Sequence, residues 1–326
     1  ANVAGPWTLS PTTLVTHDFS GSYESLVFEG TANGVTVEGF RLPGLTRGLL
    51  LNTSTSNFVV GDLDASGVTA WAGSMGLFIA GSGHSITDVV ANMRHDGLVV
   101  RPGASNIAID GLEVNGAGSI ALHVFTASPT VTLSDLTLTN SNIGVQLDTL
   151  VGTSGSPYIL DGDAIGTSSF GGNLTTINLR TTRYVAVRNL DLPGLQSGLT
   201  LYLNVLASDL SNLDASRGSV ANALYCSPPG VGSAGLSIGG INTTVSDLTV
   251  LGRTTGVTLT NSHNTTVDGG LIAANERGIQ VYGNSVLIDT TVVADITNTA
   301  TRFRIANTGN LILGQSLRVD VGGGPE

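Results

Sequence analysis

The chain of 326 residues predicts an all-β solenoid, with short strands wound into stacked coils around one apolar column. Three observations predict it. First, the sequence repeats itself: Arg41-Leu42-Pro43-Gly44-Leu45 returns as Asp191-Leu192-Pro193-Gly194-Leu195, and Leu63-Asp64-Ala65-Ser66 as Leu213-Asp214-Ala215-Ser216. The echo reaches outward, with Pro6-Trp7-Thr8-Leu9 matching Pro157-Tyr158-Ile159-Leu160. Second, a strand-turn-strand unit recurs inside each half roughly every 20–27 residues, and such periodicity marks repeat architectures. Third, no long stretch of 3.6-residue period with helix caps is present. The duplication divides one domain into residues 1–150, residues 151–305 and a terminal coil and tail, 306–326.

Each unit opens on a short alternating strand and a polar turn. Val35–Phe40, Ile107–Leu112, Val131–Leu136 and Val185–Leu190 have this form. It continues into a glycine followed by alternating aliphatics, as in Gly48–Leu51, Gly76–Ile79, Gly97–Val100, Gly144–Leu147, Gly198–Leu201, Gly256–Leu259 and Gly278–Val281. Period-2 alternation, β-branched side chains and Gly/Asn/Asp punctuation specify strand and turn. A unit of about 24 residues cannot close a core alone, so the units stack, giving about 12 or 13 coils. At about 4.8 Å per strand this is a rod of roughly 60 Å. A β-sandwich would need hairpin turns at shorter spacing, and a leucine-rich horseshoe its Asn/Cys consensus; neither is present.

Charged residues make up 11% of the chain against 41% hydrophobic, and every basic residue is arginine. The chain can bury a large core and does not have the composition of disorder. A net charge of −11 with scattered acids excludes a nucleic-acid partner, which needs clustered cations. No apolar run is long enough to span a membrane as a helix. A start at Ala1-Asn2-Val3 reads as a processed mature protein, which places it outside the cell or on its surface. Cys226 stands alone and reads as a packed thiol. The sequons at Asn52, Asn173, Asn242 and Asn264 are no more than an Asn/Ser/Thr-rich chain yields by chance.

Aligning the units sorts the acids. Glu38, Asp62, Asp88, Asp110, Asp135, Asp161, Asp209, Asp247, Asp268 and Asp289, with Asn189 in one coil, fall in the turn after the first strand. An acid repeated once per coil is a turn residue, because Asp and Asn bond local N–H groups and tolerate unusual backbone angles. What remains is a cluster of reactive types: Arg94-His95-Asp96, then Arg101, with His123 on an outward position. Such a group can bind a uronate carboxylate and abstract a proton; its bland reading is a solvated turn. His84 follows Gly81-Ser82-Gly83, a loop signature, and no His or Cys pair has zinc spacing.

The stretches Thr255–Ser262 and Arg277–Asn284 resemble the repeats of the pectin-lyase-like superfamily of right-handed parallel β-helices, a resemblance covering nearly the whole chain. It implies a right-handed parallel β-helix and carries fold more than function. Polygalacturonases of that superfamily carry an Asp-Asp pair, a Gly-His-Gly and an Arg-Ile-Lys; this chain has none of them. Lyases gather acidic calcium ligands beside a basic residue, and the pairs Asp62/Asp64 and Asp161/Asp163 show no arginine beside them in the sequence. The Asp-Pro-His-Asp of the epimerases has a counterpart only in His95-Asp96. No catalytic set is therefore assigned. If the chain is a polyuronide lyase or epimerase, His95, Asp96, Arg101 and His123 are the residues to test, with calcium as the cofactor of a lyase; otherwise no cofactor or metal is expected.

With Leu49 and Leu51 turned inward, one outward column runs Leu50, Phe78, Val99, His123, Gln146, Thr200, Thr258, Gln280. The next includes Arg101, Phe125, Asp148, Tyr202 and Tyr282. Tyr202, Tyr282 and Phe125 among polar groups suit a sugar-binding face. Leu50, Phe78, Val99 and Phe125 suit a protein interface; a covering segment of the same chain is the bland alternative. Open strand edges at a solenoid's ends and the similarity of Pro6–Leu9 to Asn310–Leu313 suit head-to-tail self-association. The expectation is a secreted or surface structural or adhesive protein that polymerises end to end, with a glycan as the other candidate partner.

Overall fold

The computed structural model describes residues 7–9, 23–67, 72–127, 130–164, 168–202, 205–216, 233–273, 277–282, 286–287, 290–296, 301–306, 312–313 and 317–322, with side chains through Val281. His17, Cys226, Asp289, Pro6, Asn310-Leu311 and the side chain of Tyr282 lie outside the described residues. Strands and turns make up the described chain, and no helix occurs in it. The strands stack in parallel as a β-solenoid. The chain forms two compact units, residues 1–150 with 164–169 and residues 151–163 with 170–326.

In the first unit the strands Glu24–Phe28, Arg47–Leu51, Met75–Ile79, Asp96–Val100, Ile120–Phe125 and Ile143–Asp148 lie side by side in chain order, as the front sheet. Trp7–Leu9, Val35–Glu38, Val59–Asp64, Ser85–Val90, Ile107–Asn115 and Val131–Ser134 form a second sheet in the same way. The second unit repeats the plan. Its front sheet holds Thr175–Arg180, Ser197–Leu201, Ala234–Ile238, Thr255–Leu259, Arg277–Tyr282 and Thr301–Ala306. Its other sheet begins with Tyr158–Asp161 and Val185–Asp191. Each unit thus contributes six described strands to a front sheet.

In-register stacking follows from the alternation. Leu26, Leu49, Leu77, Leu98, Leu122 and Val145 pair in sequence down the first unit, and all but the half-buried Leu26 lie fully in the core. A one-residue slip would turn this whole column outward. The glycine before each core aliphatic is steric. A Cβ on Gly97 would lie 2.4 Å from the Ala121 carbonyl oxygen and 2.6 Å from Val114; on Gly256, 2.3 Å from Ile272. The front strand therefore leans on the second sheet at a point where only hydrogen fits.

Asp62, Asp88, Asp135, Asn189 and Asp247 have φ between 47° and 55°. Asn212, in register with Asn189 and Asp247, has the same conformation, φ 47°. Asp and Asn occupy this left-handed region more readily than other side chains. Asp110, Asp161 and Asp268 do not belong to that position. They pair with Thr87, Arg188 and Ser246, one residue earlier, because a glycine follows each acid and takes the turn position; Gly111 has φ +72°. Glu38 pairs with Gly61 in the same earlier column, and Asp209 pairs with Thr244, three residues before Asn212.

His84 is buried in the first unit. Its Nδ1 accepts the Phe58 N–H at 3.1 Å and its Nε2 lies 2.9 Å from the Ala80 carbonyl, an arrangement that assigns the neutral ring with the proton on Nε2. Burial pushes its pKa down, and the Ala80 bond offsets this only in part. A lowered folded pKa means stability that is complete above the ordinary histidine range and is lost as pH falls through that range toward the folded value. The unfolding midpoint should therefore drop between about pH 7.5 and pH 5. His84→Gln, which cannot titrate, should start lower and lose that slope; an unchanged slope would assign it to other groups.

Candidate functional site

Arg94, grouped by sequence with His95 and Asp96, is a core residue. It is 1% exposed and its guanidinium is enclosed by carbonyls. Nε donates to Ala65 O at 2.8 Å, and Nη2 to Leu42 O and Ser66 O at 3.2 and 3.3 Å; Nη1 donates to Gly44 O. Arg253 repeats this in the second unit with Ala215 O at 2.9 Å, Leu192 O at 3.1 Å, Ser216 O at 3.0 Å and Gly194 O. Burial lowers the pKa of Arg94, with Asp64 opposing the shift. The accepting residues are those of the duplicated segments. Asp64 and Asp214 bond the N–H groups of Ser66 and Ser216, and the serine hydroxyls accept from Asn92 and Leu251 in later coils. A sequence signal existed: both arginines stand three residues before a unit glycine, Gly97 and Gly256.

The other members of that cluster separate. His95 and Asp96 stand at the start of the strand Asp96–Val100 and Arg101 follows its end, about 16 Å apart at the rise of an extended strand. Asp96 Oδ1 accepts the Ile120 N–H at 3.1 Å and lies 3.4 Å from His95 Nδ1, so it anchors the next strand. Sequence proximity around Gly97 misled because five residues of strand are long.

Arg101 and His123 do meet, on Phe125. The His123 ring stacks on Phe125 with centroids 5.6 Å apart and planes at 8°, and the Arg101 guanidinium lies 6.0 Å from the Phe125 centroid. Arg101 and Arg47 both lie 4.9 Å from the Phe78 centroid, and Arg47 also pairs with Glu24. Among the described residues no carboxylate pairs with Arg101. Gln146 Nε2 is 3.3 Å from His123 Nε2 and donates to Asp148 Oδ2 at 3.4 Å; Asp148 Oδ2 is 3.7 Å from the same ring nitrogen. Register explains the assembly, since Phe78, Val99, His123 and Gln146 are successive partners and Phe125 pairs with Asp148.

This geometry corrects the exposed apolar face. Val99 is 3% exposed, Leu50 and Phe78 are half-buried, and the two arginines lie over Phe78. Long cationic stems on adjacent strands cover apolar surface while their heads stay in water. The accessible chemistry is guanidinium on an aromatic base, with the His123 imidazole and Asp148 carboxylate partly exposed beside it and the Gln146 amide buried beneath. In the second unit Tyr202 is 46% exposed with Arg180 at 5.2 Å from its centroid, and Gln280 is buried at the pairing partner of Thr258. Tyr282 ends its strand.

The acid pairs do have arginines nearby: Arg188 donates to Asp161 at 2.7 Å and Arg41 lies 3.5 Å from Asp64. These partners come from adjacent coils, invisible to linear spacing. Burial raises the Asp161 pKa, but Arg188, the Asn189 amide and the Asp163 N–H together hold it below the ordinary range. Among the described residues no three His, Cys, Asp or Glu side chains gather as a metal site would require.

No protein-family model and no curated protein matches the chain. Among solved structures it is similar to an alginate lyase from Paenibacillus sp. str. FPU-7, at 12% identity over 96% of this chain and 99% of that one, with a TM-score of 0.43. It is also similar to the catalytic domain of a GH87 alpha-1,3-glucanase (13% identity, 97% of this chain and 63% of that one, TM-score 0.45). A third is PfbA, a surface adhesin of Streptococcus pneumoniae, at 8% identity over 90% of this chain and 85% of that one, with a TM-score of 0.30. Each of these likenesses stands at 13% identity or less, and the parallel β-solenoid of this chain is established by its own strand pairing.

Proposed function

We propose that the chain is an extracellular or cell-surface β-helix of adhesive or structural kind that holds acidic polysaccharide on the front sheet of its first unit. One observation carries the reading: the Arg101 guanidinium rests on Phe78 and Phe125 without a carboxylate partner among the described residues, beside His123, Gln146 and Asp148. A stacked guanidinium is pre-organised to bind a sugar carboxylate in two-pronged fashion, and aromatic edges supply contacts to the ring. Repetition along a polymer then multiplies weak contacts. End-to-end association belongs to the same proposal; strand edges at the ends of a parallel solenoid are of the kind that accepts another chain.

The experiment is affinity electrophoresis and calorimetry against polyuronates and neutral glucans, with size exclusion over a concentration series. Polyuronate should bind, and Arg101→Ala or Phe125→Ala should each weaken it by about tenfold or more, as loss of a charged hydrogen bond does. Equal binding of neutral glucan, or full binding by Arg101→Ala, would sink the reading. A monomer at every concentration would remove its polymer part alone.

A second reading, a polyuronide lyase or epimerase, is favoured by the proximity of His123 to Asp148. Against it, the nitrogen facing Asp148 is the one that Gln146 approaches, so the carboxylate does not orient the ring from its opposite side as a supporting acid does. Release of unsaturated uronates that disappears in His123→Ala would establish this second reading.

A further inference from the structure

The stacked guanidinium of the first unit has a counterpart in the second. Arg101 stands one residue past the core residue Val100, and Phe125 one residue past Val124, its register partner in the next coil. Arg180 and Tyr202 stand one residue past Leu179 and Leu201, which are likewise register partners. The contacts match as well: Arg101 lies 6.0 Å from the Phe125 centroid and Arg180 lies 5.2 Å from that of Tyr202. One coil further on, the same position holds Asp148 in the first unit but Gly239, just past Ile238, in the second. No acid therefore stands beside Tyr202 at that position, and the ring is 46% exposed. Arg183 follows Arg180 by three residues, past the bend at Thr181 (φ 52°), and both arginines are exposed. Their Cα atoms are at most about 11 Å apart. Among the described residues neither forms an ion pair, although the chain carries a net charge of −11. Two like charges at one bend repel each other, a cost that a bound anion relieves.

We propose that this edge of the second unit is a separate, second binding site for a uronate carboxylate of an acidic polysaccharide. The inference rests on the polyuronate reading for its ligand class, and on the second unit's own residues for its place. Arg180, resting on Tyr202, presents its planar fork to the carboxylate. Arg183 supplies a second cation to the same uronate or to its neighbour along the polymer. The exposed Tyr202 ring supplies apolar surface to the sugar and a hydroxyl at its rim. A chain with one such site in each unit holds a polymer more firmly than either site alone would.

The test is calorimetry on the full chain with a short oligogalacturonate and, as control, the same oligosaccharide with its carboxyl groups reduced to alcohols. Two oligogalacturonates should bind per chain, and the reduced form should not bind. Arg180→Gln keeps most of the stem and removes the charge; it should bring the stoichiometry to one. Arg101→Ala should do the same, and the double variant should bind none. Tyr202→Ala should weaken the second site alone by about three- to tenfold, and Arg183→Gln by about two- to fivefold. All three side chains of the second site are exposed, so the thermal midpoints of these variants should match the parent's. A single site that Arg101→Ala abolishes and Arg180→Gln leaves intact would overturn this inference and keep the first-unit reading. A single site with the reverse pattern would keep the inference and overturn that reading. Equal binding of the reduced oligosaccharide, or no binding of either, would overturn both.

Discussion

Arg94→Met is expected to destabilise the first unit by about 3–5 kcal/mol, the range seen when one side of a buried charged network is removed. Methionine keeps much of the stem volume but leaves the carbonyls of Leu42, Gly44, Ala65 and Ser66 without their donor. Each buried carbonyl left unpaired costs about 1–3 kcal/mol, although relaxation keeps four such costs from adding. Relief of the desolvated guanidinium works in the opposite direction. The carbonyls outweigh it, because there are four of them and one cation. Arg94→Lys should recover little, since an ammonium is compact and cannot reproduce the planar fork. Hydrogen exchange should accelerate first in residues 42–66 for Arg94→Met and in residues 192–216 for Arg253→Met. Unchanged denaturation and exchange in both variants would show that the cradle contributes nothing to stability.

Gly256→Ala is expected to cost about 3 kcal/mol, the upper part of the range for overpacking. The added Cβ would sit 2.3 Å from Ile272 Cγ2 and 2.6 Å from the Gly278 carbonyl oxygen. A side chain can move aside, but the oxygen belongs to the next coil's backbone. Ile272→Ala in the same chain should therefore rescue only part of the loss, and the two effects should be non-additive. Urea unfolding of the single and double variants measures this. A neutral Gly256→Ala would mean that the coils shift apart more easily than their packing indicates.

Much of the fold is legible in the sequence. Alternation located the core columns, because a strand's inward residues are every second one and a slip exposes them all. The turn acids were legible as a class but not by register. Aligning the units places Asp110, Asp161 and Asp268 with Asp62 and Asp88, whereas in the structure each stands one residue back along its strand, ahead of a glycine. The candidate site was legible only in part. Arg101, His123, Phe125, Gln146 and Asp148 could be assigned to outward positions, but not the stacking that unites them. His95 and Asp96 looked close to Arg101 because they are close in the chain.

The duplicated segments show where sequence and tertiary structure divide the information. Periodicity, alternation and the doubled Leu-Pro-Gly-Leu and Leu-Asp-Ala-Ser segments specify parallel coils and a repeated core, since these properties depend on neighbours a few residues or one coil away. Only tertiary structure identified those segments as the carbonyl cages of Arg94 and Arg253, and only it placed arginines over Phe78. The physical reason is reach. A guanidinium joins backbone groups 28–61 residues away along the chain, and such contacts leave no local period in the sequence.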